Sequence, residues 1–383
     1  MGTEDGDGAR ALSSVDLGRA PDGDPRDAGD PRGPGGSSGP GGSSGPGDHG
    51  ASDVPSAQPR TRRRRRVWLD VAIALVLLVL VAVGALRWVD STAYPVVVLQ
   101  TLGPFVVVGL GLLTVATLLL RRWLVLVPVV AALAVAATVA APAFRATTSP
   151  KAHRDLTVMA ANVWIGSANA AQLMGAVRYH SVDVLVLTEA TPAMLRRLDE
   201  AGASDYFTGR AGVARAGTST GTMVLSRYPV SVRNAGTDSG REHTPSAQPE
   251  LDVTTRRGTV RLKATHPVAP VQGDTDEWRA GLRALQTWVE GAGRNEPVIL
   301  AGDFNAASGH PGFRDLAEGL DDAQHAAGQG WVRTWPFAGR RLPAYVQLDH
   351  VLSRGLTVVD AGQVAYNHAD HAAVWASYTL PRG

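Results

Sequence analysis

The chain has 383 residues, of which 44% are hydrophobic and 19% are charged, and its formal net charge is +2. A chain of this length can form two or three structural units. The absence of cysteine excludes thiol catalysis, thiolate metal sites and disulfides, and the small net charge does not indicate a nucleic-acid partner.

Residues 1–66 are predicted to form a disordered tail. The segment up to Arg60 is rich in Gly, Pro, Ser and Asp and has almost no large apolar side chains. Such a composition cannot bury enough apolar surface to offset the conformational entropy that is lost on folding. The tail ends in consecutive arginines at positions 62–66, directly before the first long apolar run.

Residues 67–144 contain three apolar runs, which predict three transmembrane helices. The runs cover residues 67–86, 94–120 and 123–144. At about 1.5 Å per residue, the first run matches a hydrocarbon core that is about 30 Å thick. Arg121 and Arg122 separate the second run from the third, and because arginines at the bilayer midplane are costly, we place a helical hairpin turn there.

The distribution of arginines predicts the orientation of these helices. The cluster at 62–66 and the pair Arg121-Arg122 are assigned to the cytoplasm, because the loop between the first two runs has only Arg87. Three spans that start inside give a multi-pass protein of the cell membrane with a cytoplasmic N-terminus and an extracytoplasmic domain. In the alternative, the second and third runs form one span plus a re-entrant segment, and the domain lies in the cytosol.

Residues 145–383 are predicted to form a single domain in which strands dominate. Apolar runs predict strands at residues 156–161 and 183–187, and helical spacing predicts helices at 168–179 and 276–290. Three hairpins are predicted, which pair residues 222–226 with 230–233, 251–255 with 259–264, and 356–359 with 372–379. A further strand is predicted at 345–352. The resulting fold class is α+β, with two packed sheets and helices outside them.

One stretch of this domain combines a buried strand with side chains that can bind a metal. The apolar residues 298–301 end in Gly302, and Asp303 and Asn305 follow. At the end of a strand, these two side chains can reach one point in space. Carboxylate and amide oxygens suit Mg²⁺ or a water molecule that attacks phosphorus. Because Gly, Asp and Asn are also ordinary turn residues, this stretch alone leaves a simple turn as an alternative.

Similar polar residues stand at the ends of other predicted strands. Glu189 follows a fully apolar strand, with Thr188 between them. A carboxylate at that position needs a metal or a positively charged partner. Any one of these residues has an ordinary explanation, but their joint occurrence is far more specific. The other members of the set are Asn162, His266, Asp349, Asp370 and His371.

In these residues the chain resembles the endonuclease/exonuclease/phosphatase superfamily, the DNase I-like phosphodiesterases. The resemblance covers residues 156–379, and Gly302-Asp303-Phe304-Asn305 and Asp370-His371 are its most specific elements. It implies a DNase I-like two-sheet sandwich. Thr188 and Ala369 stand where the family often has Gln and Ser, which affects the subfamily and not the reacting groups. The layout of three spans followed by such a domain is also similar to actinobacterial membrane proteins linked to teicoplanin resistance.

The resemblance implies a divalent metal and its ligands. Glu189 would be the principal Mg²⁺ ligand, with help from Asn162 and Asp370. Mg²⁺ keeps several of its waters, so one or two carboxylates suffice to bind it, and Mn²⁺ could take its place.

The resemblance also implies the groups that carry out hydrolysis. Asp303 would position or deprotonate the attacking water, while Asn305 would hold a phosphate oxygen. His371, which Asp349 would orient, and His266 would stabilise the developing charge or protonate the leaving oxygen. The implied activity is metal-dependent hydrolysis of a phosphoric ester bond by a single in-line displacement.

The membrane helices favour a substrate that itself lies in the bilayer, such as a lipid-linked phosphate or pyrophosphate. A membrane-tethered nuclease is the alternative within this class, although the domain lacks the long basic runs that bind nucleic acid. A non-catalytic binding domain on the same fold is the other alternative. It predicts the loss of at least one of Glu189, Asp303, Asn305 or His371, and the chain has all of them.

Overall fold

The computed structural model describes residues 59–148, 153–271, 273, 275–337 and 343–381, with side chains from residue 64 onward. The predicted tail therefore lies outside the described residues up to residue 58. Its last residues, from Pro59, are the first turns of a helix.

The helices before the domain are α1 (Pro59–Ala85), α2 (Tyr94–Gln100), α3 (Gly103–Leu119) and α4 (Trp123–Ala140). Within the described residues, the segments Arg64–Trp88 and Trp123–Phe144 are each long and apolar enough to cross a membrane. The predicted second span is divided into α2 and α3, which meet at 60°. Pro104 explains this break, because proline cannot continue a preceding helix but fits the first turn of a new one. The chain thus has two candidate spans, or three if the bent pair is one span.

Helices α1 to α4 pack against one another, and one set of their ends contacts the domain. α3 contacts both α1 and α4. At one end, Arg122 forms an ion pair with Asp70 of α1 at 3.3 Å. At the other end, Arg87 donates to the Ser308 carbonyl at 2.7 Å, and Gly330 N donates to the Ala143 carbonyl at 2.8 Å. The turn at Arg121-Arg122 therefore lies at the end of the helices opposite to the domain.

The domain consists of two six-stranded sheets that pack face to face. The strands are β1 (Leu156–Asn162), β2 (Val184–Thr188), β3 (Gly209–Val213), β4 (Thr222–Ser226), β5 (Val230–Asn234), β6 (Glu250–Thr255), β7 (Gly258–Thr265), β8 (Val298–Asp303), β9 (Asp321–Asp322), β10 (Asp349–Arg354), β11 (Thr357–Val364) and β12 (Ala373–Thr379). The first sheet has the order β11-β12-β1-β2-β4-β3 and the second has the order β5-β6-β7-β8-β10-β9.

Alternation along the strands separates three apolar clusters. Val158 of β1 and Ile299 of β8 point between the sheets, whereas Met159 and Leu300 point outward under the helices. Each sheet thus buries both faces, which explains the nearly continuous apolar sequences of β1, β2 and β8.

The helices of the domain are α5 (Ala170–Tyr179), α6 (Pro192–Glu200), α7 (Ala203–Tyr206), α8 (Ser239–Glu242), α9 (Thr275–Gly291), α10 (Pro311–Leu316) and α11 (Ala323–Ala326).

The predicted DNase I-like sandwich with outer helices is confirmed, as are the hairpins β6–β7 and β11–β12. The predicted hairpin of residues 222–226 with 230–233 is wrong. β4 pairs with β2 and β3, while β5 pairs with β6 in the other sheet. Both edges of β4 are already occupied, so the chain crosses between sheets at Tyr228-Pro229. The strand predicted at 345–352 begins only at Asp349.

Helix α2 packs into the third apolar cluster of the domain. Val97 of α2 is 1% exposed and lies with Leu300 and Phe304. Its carbonyl oxygen is 3.0 Å from Nε2 of His310, whose Nδ1 accepts a hydrogen bond from Ala307 N at 2.9 Å. The residues that follow the Asp303-Phe304-Asn305 stretch are therefore bonded directly to α2.

These contacts make stability depend on pH. Burial lowers the pKa of His310 to about 4 from the ordinary value of 6.5. The unfolded chain therefore takes up the proton first, and stability is lost as the pH falls from 6.5 towards 4. When the pH falls from 7 to 4.5, protonation of His310 should lower the free energy of unfolding by about 2 kcal/mol.

Chemical denaturation in detergent at both pH values would measure this loss. His310→Gln is the control, because glutamine can accept and donate without titrating. Equal pH dependence in the two proteins would contradict this role of His310.

Candidate active site

The predicted site residues come together at one end of the two sheets. β1 and β2 run parallel, as do β7 and β8, so their carboxyl ends open on the same side. Asp349 begins β10 directly opposite Asp303, and the segment before β12 supplies the last two residues. The structure thus collects Asn162, Glu189, His266, Asp303, Asn305, Asp349, Asp370 and His371.

Gly302 allows the strand that carries Asp303 to approach its neighbour. Its φ is +151°, and a Cβ atom there would lie 2.1 Å from the Thr265 carbonyl oxygen. Any other residue at this position would push β8 away from β7 and move Asp303. The glycine in the Gly-Asp-Phe-Asn stretch is thus required by backbone packing at the site.

Asn162 links two carboxylates. Its Nδ2 donates to Glu189 Oε1 at 3.1 Å and to Asp303 Oδ2 at 3.0 Å. Its Oδ1 accepts from Trp164 N at 2.9 Å, so the amide turns its nitrogen towards the acids. Glu189 also accepts from Ile165 N at 2.8 Å and has a φ of +57°. A left-handed backbone is uncommon for glutamate, and such strain is concentrated at functional sites.

Asp303 lies between the two histidines. Its Oδ1 is fixed by Asn305 N at 2.8 Å, while Oδ2 is 3.7 Å from His371 Nε2 and 4.0 Å from His266 Nε2. Both distances are too long for direct hydrogen bonds. The two imidazoles and the carboxylate therefore face a common space that can accept a water molecule or a phosphate oxygen.

The imidazole of His371 lies against the carboxylate of Asp349. The distance from Nδ1 of His371 to Oδ2 of Asp349 is 2.8 Å, and both side chains are buried. Burial lowers the pKa of His371, but the carboxylates of Asp349 and Asp303 outweigh it and raise this pKa to about 10. His371 is therefore an imidazolium at neutral pH, with its Nε2–H directed towards Asp303.

His266 is held in a different way. Its backbone N donates to Gln248 Oε1 at 2.8 Å, and its carbonyl accepts from Thr244 Oγ1 at 3.0 Å. Among the described residues, its buried Nδ1 has no hydrogen-bond partner. Among these residues, no carboxylate orients the imidazole of His266 as Asp349 orients that of His371. The two histidines therefore differ in their electrostatic surroundings.

Asn305 is fixed by the backbone and by one aromatic side chain. One N–H of its Nδ2 donates to the Pro267 carbonyl at 3.0 Å, which leaves the second N–H for a ligand. Trp278 Nε1 donates to the Asn305 carbonyl at 3.0 Å. The spacing of apolar residues predicts the helix of Trp278 but not this contact with the site.

Sequence reasoning also missed residues that support the site. Tyr366 is buried and donates to the Asn162 carbonyl at 2.6 Å. Burial, together with Asp349, Asp370 and Glu189, raises its pKa well above the ordinary value, so the phenol remains protonated. Thr334 Oγ1 accepts from Leu348 N at 2.9 Å and from Asp349 N at 3.2 Å. Only their aromatic or hydroxyl character marks these residues in the sequence, and such residues are common.

The site's charges fit a divalent cation. Within the described part of the chain, no arginine or lysine forms an ion pair with Glu189, Asp303 or Asp349. Buried negative charge in excess of positive charge is costly unless a cation neutralises it. Ligand atoms of Asp303, Asp349 and His371 lie within 4.8 Å of one another. Because His371 is cationic and Mg²⁺ prefers oxygen, the carboxylates of the site are the better ligands for that ion.

The fold and this cluster of acids and histidines define a phosphoesterase of the DNase I-like class. A profile of the Endonuclease/Exonuclease/phosphatase family matches residues 159–377. This match extends over more than half of the chain, and the chain belongs to that family. No curated protein matches the sequence.

Solved structures with similar folds share little sequence with this chain. D. rerio TDP2 in complex with a single-strand DNA product has 17% identity and a TM-score of 0.47, over 59% of this chain and 99% of that one. An endonuclease/exonuclease/phosphatase from Beutenbergia cavernae has 21% identity and a TM-score of 0.44, over 60% and 72%. Beta toxin from Staphylococcus aureus has 17% identity and a TM-score of 0.43, over 58% and 99%. These similarities do not indicate a substrate for this chain.

Proposed function

We propose that this protein is a membrane-anchored, Mg²⁺-dependent phosphoesterase that hydrolyses a phosphodiester or pyrophosphate bond of a lipid-linked substrate. The observation that carries this proposal is the position of Asp303 Oδ2 at 3.7 Å and 4.0 Å from the Nε2 atoms of His371 and His266. One carboxylate and two imidazoles then surround the position of a phosphoryl group, which supports in-line hydrolysis without a protein nucleophile.

Asp303 is the group that positions the attacking water in this proposal. Asn305 N and Asn162 Nδ2 hold its two oxygens, so the carboxylate keeps one orientation while it accepts a proton. General-base catalysis by a positioned carboxylate typically contributes about 10²- to 10⁴-fold.

The two histidines act on the phosphoryl group from different segments of the chain. His371, which is cationic through Asp349, donates from Nε2 to a non-bridging oxygen as its negative charge grows. His266 follows β7, across the site from Asp349, and protonates the leaving oxygen.

Glu189 would hold the metal, with Asn162 and Asp370 beside it. In the conformation described, Asn162 contacts the acids through its nitrogen, so Glu189 is the ligand that the contacts support most directly. When bound, Mg²⁺ lowers the negative charge on the phosphoryl oxygens and favours attack at phosphorus.

The membrane helices support a lipid-linked substrate. Val97 and Arg87 contact residues 308–310, which lie a few positions after Asp303 and Asn305. The site is thus attached close to the ends of the membrane helices, where enzyme and lipid share one surface and meet at high effective concentration.

Hydrolysis assays with the full chain in detergent would test this function. A panel of polyprenyl pyrophosphates, phospholipids and DNA should show release of phosphate or of a phosphorylated head group from at least one lipid. DNA cleavage without lipid hydrolysis would identify a tethered nuclease instead. If no member of the panel reacts with Mg²⁺ or Mn²⁺ present, the enzymatic proposal fails.

The orientation of the domain is a separate part of the proposal. Arginines at 64–66 lie in the first turns of α1, and those at 121–122 lie between α3 and α4, away from the contacts with the domain. By the positive-inside rule, these ends are cytoplasmic and the domain is extracytoplasmic.

A reporter fused after Gly383 should therefore behave as extracytoplasmic, and protease added to intact spheroplasts should remove the domain. A reporter fused before residue 59 is the matched control and should stay protected. A protected C-terminus would show that the number of spans has the opposite parity.

A further inference from the structure

A large cavity lies between the membrane helices and the domain, away from the phosphoryl site. It has a volume of about 880 Å³, within the range of about 300–1,000 Å³ that is typical of ligand pockets. Leu80, Val106 and Val139 line it from α1, α3 and α4. Phe313 and Trp331 line it from the domain. We call this cavity the interface chamber.

The chamber extends into the apolar part of the membrane helices. At about 1.5 Å per residue, its wall runs about 10 Å along the span from Arg87 to Leu80, and about 18 Å along the candidate span Trp123–Phe144 from Phe144 to Ala132. One leaflet of a hydrocarbon core is about 15 Å thick. The apolar part of the chamber thus matches the length of lipid chains in a single leaflet.

Two arginines meet at the domain end of the chamber. Nη1 of Arg87 and Nη1 of Arg314 donate to the same carbonyl oxygen, that of Ser308, at 2.7 Å and 3.2 Å. Arg314 also donates to the carbonyl oxygens of Arg87 and Gly309 at 2.7 Å and 2.9 Å. All these partners are backbone carbonyls, and among the described residues neither guanidinium forms an ion pair with a carboxylate.

The acids near this pair do not neutralise it. Asp90, the acid closest to Arg87 along the chain, is bound to Arg279. Asp322 lines the chamber but is bound to His350 at 2.8 Å, and Asp321 precedes it on β9. Burial lowers the pKa of Arg314, and Asp315 offsets this only in part. A phosphate would therefore stabilise these two half-buried guanidinium groups, which share one carbonyl oxygen.

We propose that the interface chamber binds an anionic phospholipid from the leaflet on the domain side. The lipid phosphate would lie on Arg87 and Arg314, and the hydrocarbon chains would lie between α1, α3 and α4. This lipid is a resident ligand and not the substrate, because its phosphate lies on the arginines instead of beside Asp303. Since both arginines donate to the Ser308 carbonyl and Arg314 also donates to that of Gly309, the lipid also stabilises the loop after the catalytic stretch.

Binding of defined lipids to the delipidated full chain in detergent would test this proposal. Dioleoyl phosphatidylglycerol at about 100 times its Kd should raise the Tm by about 5–10 °C, and native mass spectrometry should show one bound molecule. Dioleoylglycerol, which lacks the phosphate, and glycerol 3-phosphate, which lacks the chains, should each give little or no shift.

Substitutions separate the two parts of the site. Arg87→Gln and Arg314→Gln should each weaken phosphatidylglycerol binding about tenfold or more, because each removes charge-assisted hydrogen bonds. Arg196→Gln, at an exposed position of α6, is the control. Ala136→Phe should reduce binding by filling the chamber, whereas Ala137→Phe, on the exposed face of α4 and outside the lining, should not.

Three results would overturn the proposal. The first is an equal Tm shift with dioleoylglycerol, and the second is full binding by both arginine variants. The third is a raised KM of Ala136→Phe for a long-chain substrate with phosphatidylglycerol binding unchanged, which would make the chamber a substrate-tail pocket. None of the binding measurements needs enzymatic activity, so they remain decisive if the proposed hydrolysis fails.

Discussion

His371→Ala should lower kcat by about 10²-fold or more for every substrate, whatever its leaving group. The substitution removes a cationic donor whose Nε2 lies 3.7 Å from Asp303 and faces the position of the phosphoryl group. Charge stabilisation by such a donor acts on the non-bridging oxygens, which are common to all substrates. Steady-state rates with a p-nitrophenyl ester and with an alkyl ester would show the same loss.

His266→Ala is the comparison that separates the roles of the two histidines. If His266 protonates the leaving oxygen, its loss should be severe for an alkoxide leaving group and milder for p-nitrophenolate, which needs little protonation. His368→Ala, at an exposed position just before the site, should leave both rates unchanged. Equal losses for His266→Ala and His371→Ala across leaving groups would disprove the division of roles.

The loss in His371→Ala must be separated from unfolding. Asp349 is fully buried, and among the described residues the Thr334 hydroxyl is the hydrogen-bond partner that remains for its carboxylate when His371 is removed. His371→Gln, which keeps a hydrogen-bond donor but no charge, should be more stable and still slow. If its kcat equals that of the wild-type protein, charge on His371 is not needed.

Glu189→Gln should raise the Mg²⁺ concentration needed for half-maximal activity by about 10- to 100-fold and lower the rate sharply below saturation. Among the described residues, Glu189 accepts hydrogen bonds from Asn162 Nδ2 and Ile165 N alone, so its carboxylate retains capacity for a metal. Removing the ligand charge weakens the metal site, while the remaining oxygen keeps one of these hydrogen bonds. The Tm without metal should therefore remain close to that of the wild-type protein.

Metal titrations after treatment with EDTA would measure this effect. The wild-type protein should lose activity in EDTA and regain it with Mg²⁺ or Mn²⁺. Glu200→Gln, an exposed acid at the end of α6, is the matched control and should titrate like the wild-type protein. Full activity of the wild-type protein in excess EDTA would sink the metal assignment.

Local patterns predicted most of the strands and the end of the sheets at which the site lies. The apolar residues 298–301 and the polar residues that follow predict both β8 and its functional end, because one face and one end of a strand can be read from a few residues. The pairing of β4 with β5 was predicted wrongly. The two strands are close in sequence, but each pairs instead with the edge of a strand from a more distant part of the chain. Such edges have no local signature.

The supporting shell of the site could not be predicted for the same reason. Tyr366 reaches Asn162 across 204 positions of the chain, and Gln248 reaches His266 across 18. Tyrosine and glutamine at these positions satisfy no spacing rule. Their roles depend on sheet order, which brings the segments together only after the whole domain has formed.

The contact between α2 and the domain has a consequence for the biogenesis of the enzyme. Val97 belongs to the same apolar cluster as Phe304, the residue between Asp303 and Asn305. A chain that begins after Phe144 would lack this side chain and expose the surface that it covers. The loop that follows Asp303 therefore reaches its final packing only where α2 is in place, so folding of the site depends on the N-terminal helices and a form clipped after Phe144 would be impaired.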